Sequence, residues 1–325
     1  MARRFTPPRT PPCPPGRNGF PRSGSWRWRR RREDGERREK RGIRVILLGS
    51  SSLLIQHGLS ESLAGRFLSY RAGHWGFGEM RAAFGWSLED WLYFGGYPGA
   101  AILKGDEGAW RRYITDSLIE TVLSRDVLQL ATVAKPALLR HLFGLAVSHP
   151  AEILSYNKML GQLQDAGNTT TLAHYLRLLD AAFLVGGLDI YRAGRGIKRA
   201  GSPKLVFWNN ALVTAFLGRP AAETLGDPAR RGRLVENAVG GRLLGGLDSA
   251  THQVYYWRER DKEVDFIVKT PSDLWAVEVK SGSSRDLGGL AHFLRRWPRA
   301  RPLMIGAGGM PLEEFFLADP AKLFQ

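Results

Sequence analysis

Two apolar segments in the C-terminal third of the chain are separated by a short turn. Residues 263–269 read EVDFIVK and residues 274–280 read LWAVEVK. Residues 270–273 between them read TPSD, and Pro, Ser and Asp are residues that favour turns. Apolar segments of this length on either side of a turn predict a β-hairpin.

The register of the predicted hairpin brings charged residues together. If the loop has four residues, Lys269 faces Leu274, and the same register places Asp265 directly opposite Glu278. Side chains alternate along a strand, so Lys280 projects from the same face as Glu278. Like charges that face each other destabilise a sheet unless something compensates them. A divalent cation bound by Asp265 and Glu278 would do so.

Two carboxylates and a lysine at one end of a hairpin indicate phosphodiester hydrolysis. The candidate metal ligands are Asp265 and Glu278, because carboxylate oxygens hold Mg²⁺, which polarises a phosphate and activates a bound water. Lys280 would orient the nucleophile or stabilise developing charge. A further acid, Glu236, lies among apolar residues in a predicted helix at residues 234–244. The candidate catalytic residues are therefore Asp265, Glu278, Lys280 and Glu236.

An alternative interpretation of these residues needs no metal. The same register places Lys280 opposite Glu263, where a solvated cross-strand ion pair would account for both side chains. Charged surface hairpins are common, and the spacing of the acids is permissive. Both interpretations are open on the residues alone.

Residues 151–218 predict a winged helix-turn-helix module, whose helical part comes first. One short helix is expected at residues 156–164, followed by a turn at residues 165–168. A second helix is expected over residues 169–181, with Asn168 or Thr169 as its N-cap. Its apolar stripe is more typical of a buried core than of a DNA-reading surface; the stripe consists of Leu172, Tyr175, Leu176 and Leu179.

The wing of this module carries a cluster of basic residues. Residues 183–191 and 205–208 predict two strands, and the loop between them contains no acidic residue. Basic side chains in such a loop favour contact with DNA phosphates. The candidate DNA-binding residues are Arg192, Arg195, Lys198, Arg199 and Lys204.

The net charge of +16 is concentrated at the N-terminus. Residues 1–42 carry 14 Lys and Arg against 4 Asp and Glu, which gives +10. Seven prolines and the arginine run at residues 29–32 predict a disordered segment. A phosphate-binding arm is an alternative, because arginine clusters attract polyanions. A third interpretation is an abnormal gene start that replaces lost sequence.

Composition and motif content exclude several classes of protein. With 325 residues, 43% of them hydrophobic, the chain can fold into two or three units. No apolar run approaches the ~18 residues of a membrane span, so no membrane partner is expected. A single cysteine, Cys13, and the lack of an apolar leader favour a cytoplasmic location. The chain has no Gly-Lys dipeptide and hence no phosphate-binding loop.

Several segments, taken in order, resemble a known family. Residues 44–52, RVILLGSSS, predict a buried strand that ends in a functional loop, and residues 87–147 are mostly helical in pattern. From about Arg44 to the C-terminus the chain resembles prokaryotic AAA-family ATPases that carry a C-terminal domain of unknown function of the PD-(D/E)xK nuclease-like type. The segments that carry the resemblance are residues 45–54, 61–66, 74–80, 95–98, 119–126, 170–184, 202–204 and 264–280.

The resemblance implies roles for particular residues. Ser51 would sense the γ-phosphate of a nucleotide and Arg66 would be the arginine-finger candidate. The acidic and lysine positions of the family would be those of the four catalytic candidates. Asn209 stands where relatives often have Asp. The Walker A loop and acidic Walker B strand of the family are missing, so we expect a truncated or frameshifted product that does not bind ATP productively.

We therefore expect an α/β multidomain protein. Its expected parts are a disordered basic segment at 1–42, a remnant of an AAA-type α/β ATPase core at 43–86, a helical region at 87–150, a winged helix-turn-helix at 151–218 and a restriction-endonuclease-like α/β domain at 219–325.

The expected function is that of a truncated AAA-family protein with a DNA-binding winged helix and a Mg²⁺-dependent nuclease-like domain. The alternatives are a non-catalytic DNA- or protein-binding module and an inert gene remnant. The expected partners are DNA and either a second copy of the chain or a complementing ATPase half.

Overall fold

The computed structural model describes residues 72–127, 133–164, 167–193, 201–282 and 287–325. Several residues singled out above lie outside these ranges, namely Ser51, Arg66, Arg195, Lys198 and Arg199, as do residues 1–42 and the strand expected at 44–52.

Helices make up the N-terminal part of the described chain, as the pattern over residues 87–147 predicts. They are α1 (Phe77–Phe84), α2 (Leu88–Phe94), a 3₁₀-helix (Pro98–Leu103), α3 (Glu107–Arg112) with π-helical turns at Tyr113–Ile119 and Val122–Asp126, and α4 (Pro136–Val147). A capping box begins α2: the Ser87 hydroxyl accepts a hydrogen bond from the Asp90 backbone, and the Asp90 carboxylate accepts one from the Ser87 backbone. Trp110 and Phe143 lie at the centre of the core that these helices share.

Two helices and a two-stranded sheet follow. They are α5 (Tyr156–Gln162), α6 (Thr169–Ala181), β1 (Val185–Leu188) and β2 (Lys204–Phe207), with β1 and β2 antiparallel. Asn168 is the N-cap of α6, since its side chain accepts a hydrogen bond of 2.8 Å from the Thr171 backbone N–H. The apolar stripe of α6 is buried, and the long polar side chains that this helix exposes to solvent include those of His174 and Arg177.

The C-terminal part contains a four-stranded mixed sheet. Its elements are α7 (Asn210–Leu217), α8 (Ala221–Gly226), α9 (Pro228–Gly246), β3 (Gln253–Glu259), β4 (Lys262–Lys269), β5 (Leu274–Lys280), α10 (Gly288–Arg296), β6 (Arg301–Gly306), α11 (Leu312–Leu317) and α12 (Pro320–Leu323). The strand order is β3-β4-β5-β6. Strands β3, β4 and β5 are antiparallel, and β6 runs parallel to β5.

Helices cover the two faces of this sheet. On one face, Val239 of α9 packs in a core that contains Phe266 and Val277. On the other face, Phe293 of α10 packs with Ile267 and its neighbours. The alternation of β4 and β5 explains this division, because successive side chains point to opposite faces.

Two close approaches depend on glycine. A Cβ atom at Gly240 of α9 would lie 2.8 Å from Val206 and 2.9 Å from Phe266, so α9 could not pack this tightly with any larger residue. A Cβ atom at Gly289 of α10 would lie 1.9 Å from the Glu263 carbonyl oxygen. Both helices are therefore held close to the strands that carry the charged residues.

The two sheets are joined at β3. Ile190, just after β1, forms a parallel bridge with Tyr256 of β3. The Tyr191 N–H donates to the Tyr256 carbonyl, and the Tyr256 N–H donates to the Asp189 carbonyl. The Tyr256 hydroxyl donates to the Ser202 carbonyl. This junction holds β2 beside α9 and β4.

The longest described helix, α9, has 19 residues and carries three arginines in its first two turns. Among the helices that the structure describes, none combines the length and the apolar character that crossing a bilayer requires.

Candidate functional site

The hairpin formed by β4 and β5 has the predicted register. Lys269 pairs with Leu274, and the ladder continues without a shift to Phe266 and Val277. The turn closes as expected, because the Thr270 hydroxyl accepts a hydrogen bond of 2.9 Å from the Asp273 backbone. The next position in the register is that of Asp265 and Glu278.

At this position the strands stop pairing through their backbones. The Asp265 carboxylate accepts a hydrogen bond of 2.8 Å from the Val279 N–H, so a side chain takes the place of a backbone partner. Glu278 is only 6% exposed. Its Oε1 atom lies 2.7 Å from the Lys280 ammonium nitrogen, as expected for two residues on one face of a strand.

The side chain of Lys204, the first residue of β2, ends among three carboxylates. Its Nζ atom lies 2.6 Å from Glu236 Oε1, 3.1 Å from Glu263 Oε1 and 3.6 Å from Asp265 Oδ1. These three acids each offer an oxygen within 4.8 Å of the others. We call Lys204, Glu236, Glu263, Asp265, Glu278 and Lys280 the acidic site. Helix α9 supplies Glu236, strand β4 supplies Glu263 and Asp265, and β5 supplies Glu278 and Lys280.

The structure corrects the role predicted for Lys204. This side chain has no solvent exposure, so its ammonium group cannot reach a DNA phosphate. It instead neutralises the carboxylates around it. Arg192, the other candidate DNA-binding residue that the structure describes, is exposed, as a phosphate-contacting residue must be.

The charges of the hairpin are paired differently from the metal-free interpretation of the sequence. Glu263 forms its ion pair with Lys204, and Lys280 forms one with Glu278. Glu263 therefore belongs to the acidic site. The sequence indicated Glu263 only as a partner of Lys280.

Asn237, which the sequence analysis did not single out, holds Glu236 and Lys204 together. Its side-chain oxygen accepts a hydrogen bond of 2.8 Å from the Phe207 N–H, and its amide donates to the Phe207 carbonyl at 3.2 Å. Asn237 is fully buried and follows Glu236 in α9, while Phe207 ends the strand that Lys204 begins. The sequence signal that could have identified Asn237 was a polar residue on the apolar face of the helix predicted at residues 234–244.

A second buried amide extends this network. Asn210 accepts a hydrogen bond of 2.8 Å from Asn237 and donates to the carbonyls of Leu92 and Leu234. Asn209 beside it is the N-cap of α7, and its side-chain oxygen also accepts from the Gly96 N–H. Asn209 thus has a structural role in this chain.

Burial and mutual repulsion set the protonation of the acids. Burial raises the pKa of Glu236 above its usual range, and the charge of Asp265 adds to this, while Lys204 opposes it. Burial also raises the pKa of Glu278, again with a contribution from Asp265 and opposition from Lys280. Both acids therefore bind a proton more readily than an exposed glutamate does.

Lys204 stays protonated in this site. Burial alone would lower the pKa of Lys204, but Glu236, Asp265 and Glu263 outweigh it and raise the pKa. With Lys280 and Arg233 included, three cationic side chains face four carboxylates, since Arg233 Nη1 lies 3.5 Å from Glu236 Oε2. When all the acids are ionised, the site keeps an excess negative charge that favours a bound cation.

The donor set fits such a cation. The Oε2 atom of Glu278 is buried and has no hydrogen-bond partner among the residues that the structure describes. An unpaired buried carboxylate oxygen is costly, and it can be satisfied by a metal ion. Carboxylate oxygens are hard ligands that suit Mg²⁺. Asp265 and Glu278 are the residues that would hold it.

The fold and the site define a mixed α/β protein, with a helical N-terminal region and a small C-terminal sheet that carries a buried acidic site. Residues 85–223 match the family described as Domain of unknown function (DUF8612). Residues 231–313 match the family described as Domain of unknown function (DUF4143), a domain often found with AAA ATPases. Neither match extends over half of the chain.

Two curated proteins are similar to this chain. They are uncharacterized proteins of Mycobacterium tuberculosis and Mycobacterium bovis, each 29% identical over 245 residues. The alignment covers 74% of this chain and 53% of each relative, so the chain spans about half the length of the curated relatives it matches. No solved structure shows a significant match.

Proposed function

We propose that the acidic site hydrolyses phosphodiester bonds of DNA with the help of Mg²⁺, as part of a nuclease-like domain. The observation that carries this proposal is the buried Oε2 atom of Glu278, which has no hydrogen-bond partner among the described residues. Glu278 directly follows Val277, the last paired residue of β5 in this hairpin, and occupies the register position opposite Asp265. The excess of carboxylates over cationic side chains at this point supports it, because an excess of negative charge favours a bound cation.

The order of the elements also supports a nuclease-like domain. A helix that supplies an acid, α9, precedes three antiparallel strands, and a second helix, α10, connects β5 to the parallel strand β6. The acids and the lysine of the sequence pattern lie on α9, β4 and β5 of this unit. This is the arrangement that the resemblance to PD-(D/E)xK nucleases implies.

Each residue of the acidic site has its own role in the proposed hydrolysis. A Mg²⁺ ion supplies Lewis acidity and lowers the pKa of a bound water. Asp265 and Glu278 would hold the ion, and the Val279 N–H fixes the Asp265 carboxylate. Lys280, paired with Glu278, supplies positive charge for the phosphate in the transition state. Glu236 acts through Lys204, which lies between it and Asp265.

We propose that the segment from α5 to β2 is a winged helix that holds DNA near this site. The support is the order helix, turn, helix and antiparallel strand pair, together with the exposed Arg192 after β1. Arg195, Lys198 and Arg199 stay predicted contacts, since they lie outside the described residues.

A DNA-cleavage assay with Mg²⁺ or Mn²⁺ tests the hydrolytic function. Asp265→Asn removes a charge from the proposed ion ligand and should lower the cleavage rate at least about 100-fold, as expected for loss of a catalytic group. The matched control is Asp261→Asn, because Asp261 lies in the turn between β3 and β4, four residues before Asp265, and its side chain is 79% exposed. Equal cleavage by both variants, or by neither variant nor the native chain, would overturn the proposal.

A second function, non-catalytic binding of nucleic acid, is favoured by one observation. Lys204 already neutralises part of the acid cluster without any metal, which suits a structural role of these charges. The test is the affinity for duplex DNA as a function of salt. Phosphate-led binding should weaken steeply with salt, and Arg192→Gln should reduce the slope of log K against log[salt] by about 1. Salt-independent binding would contradict it.

We further propose that the chain is related to AAA-family ATPases but does not bind ATP by itself. The support is the match to a domain often found with such ATPases and the lack of a Gly-Lys dipeptide. The roles of Ser51 and Arg66 stay predictions. Equilibrium dialysis with labelled ATP should show no saturable binding. Saturable binding that Arg66→Ala weakens would contradict the proposal.

A further inference from the structure

Lys204 lies where an external cation would be expected. The oxygens of Glu236, Glu263 and Asp265 lie within 4.8 Å of one another, a spacing that oxygen ligands of one metal ion adopt when they bind at about 2.1 to 2.5 Å. The ammonium nitrogen of Lys204 lies between 2.6 and 3.6 Å from all three carboxylates. A cation-binding arrangement in this chain is thus filled by one of its own side chains.

A second observation shows that the acidic site has capacity for more positive charge. Glu278 Oε2 has no partner in the part of the chain that the structure describes, and Glu278 is more than nine-tenths buried. Asp265 lies between the Lys204 side and the Glu278 side of the acidic site, because its Oδ1 atom faces Lys204 and its Oδ2 atom accepts a hydrogen bond from the Val279 N–H beside Glu278. The Lys204 side holds an ammonium group, and the Glu278 side has a carboxylate oxygen without a partner among the described residues.

We infer that the Lys204 ammonium permanently fills one of two cation positions in the acidic site, so that the native chain binds a single divalent ion there. Removal of this ammonium should open the second position, between Glu236, Glu263 and Asp265. The inference rests on the proposed function for the first ion only, since the second position is defined by Lys204 itself.

The surroundings of Lys204 make its displacement by a metal ion unfavourable. The side chain has no exposure, and its ammonium also lies 5.1 Å from the centre of the Phe266 ring. Expelling it would leave a charged group buried without a partner, which is costly. The network of Asn237 and Phe207 fixes the strand from which it projects.

Isothermal titration with Mn²⁺ at about pH 8 measures the number of ions bound. We expect one ion for the native chain and for Lys158→Met, a control at an exposed position of α5, and two for Lys204→Met. Adding Glu236→Gln to Lys204→Met should weaken the gained site at least about 10-fold. An unchanged number of ions in Lys204→Met would overturn the inference.

The outcomes separate this inference from the proposed function. If the native chain binds no ion and Lys204→Met binds one, the hydrolytic proposal loses its metal while the role of Lys204 stands. If the native chain binds one ion and Lys204→Met also binds one, the metal site stands and the role of Lys204 is wrong.

A measurement on the native chain covers the case in which Lys204→Met does not fold. A buried, protected ammonium group gives its own lysine side-chain ¹⁵N signal. We expect the Lys204 signal to persist at saturating Mg²⁺, as for an ammonium group that keeps its position. Loss of the signal, or its shift to that of an exposed lysine, would show that the metal displaces Lys204 and would overturn the inference.

Discussion

The ammonium group of Lys204 lies 2.6 Å from the Glu236 carboxylate, and the Lys204 side chain is completely buried. The two residues come from different elements, β2 and α9, that pack around Asn237. A buried ion pair of this kind is costly to form but far more costly to break on one side, because the remaining charge is left uncompensated.

Replacing Lys204 should therefore destabilise the fold strongly. We expect Lys204→Met to lower the free energy of unfolding by about 3 to 5 kcal/mol in metal-free buffer, measured by urea denaturation. The double variant with Glu236→Gln should lose less than the sum of the single changes, since it has one fewer unpaired acid. Lys158→Met on the exposed face of α5 should stay within about 0.5 kcal/mol of the native chain. A loss below about 1 kcal/mol for Lys204→Met would contradict the ion-pair assignment.

Asn237 should be as important to the packing as a large core residue. Asn237→Ala leaves the Phe207 N–H and the Asn210 side chain without their partner, and each buried unsatisfied group costs about 1 to 3 kcal/mol. We expect a loss of about 2 to 4 kcal/mol in the free energy of unfolding. Asn157→Ala, at an exposed position of α5, is the matched control and should have little effect. Similar midpoints for the two variants would refute a network role for Asn237.

Two glycine substitutions should have opposite effects. Gly289→Ala places a methyl group 1.9 Å from the Glu263 carbonyl, so α10 must move away from β4. We expect a loss of about 1 to 3 kcal/mol in thermal or chemical unfolding, as for other overpacked sites. At Gly245, near the end of α9, a new Cβ would meet no described atom within 4 Å, and alanine favours the helix by up to about 1 kcal/mol. A neutral result for Gly289→Ala would mean that α10 does not approach β4 this closely.

His74 should contribute to the pH dependence of the free energy of unfolding at mildly acidic pH. Burial lowers the pKa of His74 below 6.5, although the hydrogen bond with the Trp208 carbonyl opposes this. Below about pH 6.5 the unfolded chain therefore takes up a proton that folded His74 does not, so the contribution of His74 to the free energy of unfolding falls as the pH decreases. The raised pKa values of Glu236 and Glu278 act in the opposite direction, so the contribution of His74 is the difference between the native chain and His74→Gln, measured by urea denaturation between about pH 5 and 7.5. His174→Gln, at an exposed position, should leave the pH profile of the native chain unchanged; equal profiles for both variants would contradict the assignment.

The sequence was informative where local pattern determines structure. Alternation and turn chemistry predicted the pairing of Lys269 with Leu274, and hence the neighbourhood of Asp265 and Glu278. The sequence predicted Asn168 or Thr169 as the N-cap of α6, and the structure shows that it is Asn168. These features depend on residues a few positions apart, which is the range over which propensities and alternation act.

The role of Lys204 depends on contacts that no local pattern encodes. Its partner Glu236 is 32 positions further on, and the packing of α9 against β2 brings the two together. Charge alone favoured DNA contact, because Lys204 follows a basic loop. The run Leu205-Val-Phe207 after it is entirely apolar, which was a sign in the sequence that the strand begins in the interior, and the structure shows these residues buried.

Lys204 lies in the segment that matches one family, and Glu236, Glu263 and Asp265 lie in the segment that matches the other. The acidic site therefore straddles the boundary at residue 219 that the sequence indicated. A fragment that begins there would lack Lys204, the buried partner of Glu236, Glu263 and Asp265, and a chimera that exchanges either half with a relative would need a compatible residue on each side. The two segments therefore depend on each other through the buried ion pair of Lys204 and Glu236.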